Sequence, residues 1–104
     1  MDEREIMIEL LNPRSHISRT RSLWLKFLAD AYEAMQVPFT VTSWWRTTEH
    51  NAAVGGLPNS RHLTGDAIDV VWQDETDLPI LKVVASRMRI RLVREGDHDH
   101  FQTL

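Results

Sequence analysis

The sequence predicts an α+β domain, a small antiparallel sheet with helices packed on one face, and three observations predict it. One segment repeats apolar residues at helical spacing, several later ones alternate at period two, and a chain of 104 residues has room for one core. Hydrophobic residues make up 42% and charged residues 26%, the balance of an ordinary globular domain. Residues 1–104 therefore read as a single domain, with a helix at 20–36 and a motif region at 39–102.

Each element has a local reason. Leu23, Phe27, Leu28, Ala31 and Met35 recur at three- and four-residue spacing with Lys26, Asp30 and Glu33 between them, the pattern of an amphipathic helix. Ser18, Thr20 and Ser22 offer N-cap oxygens ahead of it, and Val37-Pro38 ends it because proline disfavours α geometry at the preceding residue. Phe39 to Ser43 alternates apolar and hydroxyl side chains, the signature of a strand buried on one face. Thr47 to Val54 has a Thr cap, an acid in its first turn and Gly55-Gly56 after it, so a short helix is expected. Leu57 to Ser60 reads as a turn or loop, with His62 on a loop and Gly65 turning into a central strand from Asp66 to Trp72. Asp77 and Pro79 open a helix with apolar Leu81, Val84, Ala85 and Met88. Ile90 to Arg94 and His98 to Gln102 then form a hairpin about Gly96-Asp97.

Composition narrows the function. Lys plus Arg is 12 against 15 for Asp plus Glu, a formal net charge of −3. That leaves no basic field, so no nucleic-acid partner is expected. There is no cysteine, so any metal must be held by His and carboxylate. No apolar run approaches the roughly 20 residues of a membrane span. Met1-Asp2-Glu3-Arg4-Glu5 is acidic where a signal peptide would be basic, so synthesis in the cytoplasm without export by its own signal is expected.

Three of the five histidines, His62, His98 and His100, lie beside acids and glycines. Period two sends His98 and His100 to one face of a strand, where one can bind a metal and the other can act beside it. The Gly65 turn could bring His62 alongside Asp69. Two imidazoles, one carboxylate and a fourth position open to water form the ligand set of a hydrolytic zinc centre. Taken alone, Asp97 and Asp99 read as a solvated acidic turn, and His16 and His50 as surface residues. Trp24, Trp44, Trp45 and Trp72 read as core or rim packing, with one of Trp44 and Trp45 free to line a groove.

Ser60-Arg61-His62-Leu63-Thr64-Gly65-Asp66-Ala67-Ile68-Asp69 is the string Ser-x-His-x-x-Gly-x-Ala-x-Asp. It resembles the zinc D-alanyl-D-alanine carboxypeptidases and related peptidoglycan endopeptidases, which share the Hedgehog/D-Ala-D-Ala peptidase fold. The resemblance extends upstream through Thr42-Ser43-Trp44-Trp45-Arg46-Thr47 and Asn51 to Gly56, and downstream through Glu95 to Phe101, while the first 35 residues add only a compatible helix. It implies that His62, Asp69 and His100 ligate one Zn²⁺ per chain. It implies catalytic roles for Asp97 and His98 jointly, with Glu95 as the alternative base. Arg46 takes the place of the arginine that reaches the substrate or its developing oxyanion. Ser60 matches a serine that hydrogen-bonds substrate or orients His62, and Asp66 is expected to cap or pair rather than ligate. Trp44-Trp45 replaces the family's Gly-Tyr, so the pocket wall beside Arg46 is expected to be bulkier.

The function so implied is a zinc-dependent peptidase cutting peptidoglycan stem peptides at the bacterial cell wall, as endopeptidase or D,D-carboxypeptidase. It is expected to be monomeric and to be either a phage-encoded lysis or penetration enzyme (an endolysin) or a minimal domain delivered by a partner. The alternatives are a catalytically silent, zinc-stabilised binding module of the same fold, as in Hedgehog domains, and a structural virion protein without zinc.

Overall fold

The computed structural model describes residues 16–104. The expectations placed on the acidic amino-terminal segment, and on the side chains of His16 and Ser18, fall outside the described residues. Helix α1 spans His16–Met35, β1 Phe39–Ser43, α2 Thr48–Ala53, a 3-10 turn Arg61–Thr64, β2 Ala67–Trp72, α3 Leu78–Arg87, β3 Ile90–Glu95 and β4 His98–Thr103. The four strands form one sheet in the order β1-β2-β4-β3, and every neighbouring pair is antiparallel. The predicted architecture is the observed one.

Side-chain alternation divides the sheet. Ile68 and Val70 of β2, Ile90 of β3 and Phe101 of β4 join Trp24, Phe27, Leu28 and Ala31 of α1 and Leu81, Val84 and Ala85 of α3 in one core. Phe27 and Phe101 are fully buried with ring centroids 4.8 Å apart. Because successive strand residues face opposite ways, Asp69, His98, His100 and Gln102 project from the other face. One face of the sheet is thus committed to packing, and the other is left for polar side chains.

Several boundaries differ from expectation. Helix α1 begins at His16 rather than at 20, so Thr20 and Ser22 lie inside it rather than capping it. Thr20 is buried there. The apolar stripe is also shifted, with Trp24 in the core and Leu23 and Met35 only packed against it. Gln36 adopts the left-handed region at φ 57° and its N–H donates to the Tyr32 carbonyl at 2.7 Å, closing the helix just ahead of Val37-Pro38. Strand β1 is not buried on one face. It is the sheet's edge, Phe39 is half-buried against Trp72, and Val41 is exposed. Alternation records which residues share a face, but a face is buried only where another layer packs on it, and the buried core is built on β2, β3 and β4 rather than on β1.

The short helix α2 has the predicted Thr47 cap, whose hydroxyl accepts from the His50 N–H at 3.0 Å. In α3 the Asp77 carboxylate accepts from the Ile80 N–H at 3.2 Å. The His62 segment is a 3-10 turn and not the expected loop. Gly65 closes it at φ 75°, a left-handed conformation that glycine adopts without Cβ strain.

Candidate metal centre

The connection from β1 to β2 carries Trp44, Trp45, Arg46, α2 and the 3-10 turn, and it brings His62 back to the polar face of the sheet. Ser60 is the N-cap of the turn, its hydroxyl accepting from the His62 N–H at 3.2 Å. Three indole N–H groups then hold the turn. Trp24 and Trp44 both donate to the Gly65 carbonyl, at 2.8 and 3.0 Å, and Trp45 donates to Leu63 at 2.9 Å. The tryptophans therefore anchor the segment bearing His62, and neither Trp44 nor Trp45 is free of that task.

On the sheet, Asp69 of β2 and His100 of β4 are direct cross-strand partners. The His100 Nδ1 lies 2.9 Å from Asp69 Oδ1, and the His62 Nε2 lies 3.3 Å from Asp69 Oδ2. His62, Asp69 and His100 each offer one ligand atom, and these atoms lie within 4.8 Å of one another. The two imidazole rings meet edge-on with centroids 5.4 Å apart. Their outer nitrogens are also satisfied. His62 Nδ1–H donates to the Trp44 carbonyl at 2.6 Å, and His100 Nε2 lies 3.0 Å from the Gln102 amide oxygen.

The electrostatics follow from this packing. Burial pushes Asp69 up, but hydrogen bonds from His100 and His62, and their charge, outweigh it and hold the carboxyl well below the usual carboxylate range. The hydrogen bond to Asp69 raises His100 above the ordinary imidazole value against its burial. Arg46 closes the site from the side: its Nη2 is 3.6 Å from Asp69 Oδ2, its Nε donates to Ser43 at 3.1 Å and its Nη1 to Asn51 at 3.4 Å. Two imidazoles, each supported by an outer hydrogen bond, and an ionised carboxylate beside Arg46 fit a divalent zinc-type ion by donor chemistry.

The remaining expected residues are distributed as follows. His98 sits beside the trio, 3.9 Å from Asp69 Oδ1, and its Nε2 is 3.3 Å from Glu95. Asp97 is 95% exposed and bonds His98 Nδ1 at 2.8 Å, which raises His98 and lowers Asp97. Asp97 therefore meets the trio through His98. A cavity of about 510 Å³ beside the hairpin is lined in part by Trp72, Thr76, Arg94, Asp97 and His98 but by none of the trio. Asp66 pairs with Thr64 and Thr103, outside the trio, and His50 is exposed.

Asp99 is a correction. It is only 2% exposed, not part of a solvated turn. Arg94 donates to both of its oxygens, at 2.8 and 3.0 Å, and the Trp72 indole donates at 2.8 Å. Sequence reasoning also passed over Asn51, which is buried between Arg46 and the Leu57 carbonyl. It passed over Gln102 as well, although period two from His100 places Gln102 on the site's face. Gly56 packs so closely on the Asn51 side chain that a Cβ could not be accommodated.

A sheet with one helix-covered face and a His, Asp, His cluster on the other defines a small α+β domain built around a candidate metal centre. The model of the peptidase M15 family matches residues 4–101, and the chain belongs to that family. Among solved structures it is similar to Serratia marcescens L-Ala D-Glu endopeptidase ChiX, with 24% identity, a TM-score of 0.56 and 77% of each chain covered. This likeness shows the fold. No curated protein matches the chain.

Proposed function

We propose that the chain is a zinc-dependent peptidase that hydrolyses peptide bonds in bacterial peptidoglycan stem peptides, and that it acts at the wall. The observation that carries this reading is the convergence of His62, Asp69 and His100, with ligand atoms within 4.8 Å, in a member of a peptidase family. The chain acts as endopeptidase or D,D-carboxypeptidase, and the fold it shares with an L-Ala D-Glu endopeptidase supports a peptidoglycan stem peptide as substrate. His62, Asp69 and His100 would hold the zinc, which when bound supplies Lewis acidity towards a carbonyl oxygen and towards water.

The chain's own residues supply the rest. Arg46 is a fixed guanidinium, braced by Ser43 and Asn51, and it offers a cationic fork to the carbonyl oxygen as that oxygen gains charge. His98 lies between Asp97 and Glu95, and both acids favour its protonated form. It is placed to carry a proton to the leaving amine while Asp97 holds its far nitrogen.

The test is zinc content together with release of new amino groups from purified peptidoglycan, for wild type and His62→Ala. One zinc per chain with hydrolysis, both lost in the variant, is the expected result. Hydrolysis by metal-free protein would overturn the reading.

A further inference from the structure

Both ring nitrogens of His100 face acceptor oxygens, Asp69 Oδ1 at 2.9 Å and Gln102 Oε1 at 3.0 Å. A neutral imidazole carries one N–H, so a metal-ligating His100 must keep its proton on one nitrogen and present the other. Nδ1 is the nitrogen that faces Asp69 and the centre. The proton must then stay on Nε2, and the group placed to hold it there is Gln102. His62 has the opposite arrangement: its Nδ1–H is fixed by the Trp44 carbonyl, and Nε2 faces Asp69.

We propose that Gln102 is a positioning residue for the metal centre, its amide oxygen keeping the His100 proton on Nε2 so that Nδ1 is the ligand atom. This rests on the metal-centre reading above. The placement is built by the strand. Gln102 is two residues from His100 on β4, its cross-strand partner on β2 is the small, fully buried Ala67, and it is itself half-buried. The amide also makes the device sensitive to orientation. With oxygen inward, Nδ1 is free to ligate; with nitrogen inward, Gln102 would donate to Nε2, the His100 proton would move to Nδ1, and His100 would bond Asp69 instead of a metal.

The experiment measures zinc affinity by competition with a chromogenic chelator for wild type, Gln102→Met and Gln102→Glu. It also records ¹⁵N shifts of the His100 ring in zinc-loaded wild type. Gln102→Met conserves volume but removes the acceptor, and it is expected to weaken zinc about 10- to 100-fold with an unchanged far-ultraviolet spectrum. Gln102→Glu keeps an acceptor and is expected to bind within a few-fold of wild type. The shifts are expected to show Nδ1 ligated and Nε2 protonated. Wild-type affinity in Gln102→Met, no rescue by glutamate, or Nε2 ligation overturns the proposal while leaving the metal centre intact. Absence of zinc binding in wild type overturns both. If Gln102→Met does not fold, the wild-type ring shifts decide.

Discussion

Asp69 and Asp99 are both buried, and they sit one register position apart on adjacent strands, Asp69 opposite His100 and Asp99 opposite Val70. They face opposite sides of the sheet. Asp99, on the side of Phe101, is held by the Arg94 guanidinium through both oxygens and by the Trp72 indole. Each of these partners keeps its proton across the accessible pH range, so neither can exchange it for a metal. Asp69 is held by two imidazoles, which can release protons and accept a metal in their place. Burial of a carboxylate is common to both, and what separates a structural acid from a candidate ligand is whether its partners can exchange.

The sharpest way to break this comparison is to disturb the surroundings of each acid in turn. Asp69→Asn is expected to remove stoichiometric zinc and to lower hydrolysis on the order of 10³-fold or more, since a Lewis acid supplies several kcal/mol. Zinc retained at one per chain would place the ligand set elsewhere. Next in size, Asp97→Ala and His98→Ala are expected to keep zinc but to lose about 10²–10⁴ in rate, or about 2.7–5.4 kcal/mol. Steady-state amino-group release checks this, and unchanged rates would remove both residues from the chemistry. On the opposite face, Arg94→Ala leaves Asp99 buried with only Trp72. It is expected to cost less than the about 3–5 kcal/mol of a fully buried pair, because the Arg94 side chain is 43% exposed. Urea unfolding measures that loss, and zinc affinity should stay at the wild-type value.

The smallest expected effect is on the pH dependence of stability with metal chelated. Hydrogen bonding to Asp69 raises His100, and hydrogen bonding to Asp97 raises His98. A group raised in the folded state stabilises fully below its unfolded value, about 6.5 for histidine, and that contribution is lost as pH rises through the folded value. Asp69 is lowered by its histidine bonds against burial, so its contribution is present above about pH 3.9 and lost as pH falls through the folded value. The Tm of chelated protein should therefore be highest between about pH 4 and pH 6.5 and fall as pH rises further. With zinc present the upper trend should reverse, because ligation needs unprotonated imidazoles. A chelated protein that gains stability above pH 7 would show that the histidine cluster is not held by charge.

Much of this was legible in local pattern. Leu81, Val84 and Ala85 at helical spacing, Thr47 and Asp77 as caps, and the Gly96-Asp97 turn all depend on neighbours within a few residues, and all appear where they were read. The string around His62 and Asp69, with His100 downstream, marked the residues that converge through its resemblance to a family of zinc peptidases. The misreadings share a cause. Val41 is exposed because the core is built on β2, β3 and β4 and not on β1, and Asp99 is buried because Trp72, far along the chain, and Arg94, across the hairpin, come to meet it.

By itself the sequence determined the existence and order of the helices and strands and a set of side chains able to hold a metal, since periodicity and donor chemistry are properties of residues and their spacing. Only the tertiary structure decided that Asp99 is buried against guanidinium and indole. It also decided which nitrogen of each histidine faces Asp69, and that three tryptophans secure the turn bearing His62. Those outcomes depend on strand order and register, which are set when one sheet face packs against α1 and α3, and no local pattern carries that information.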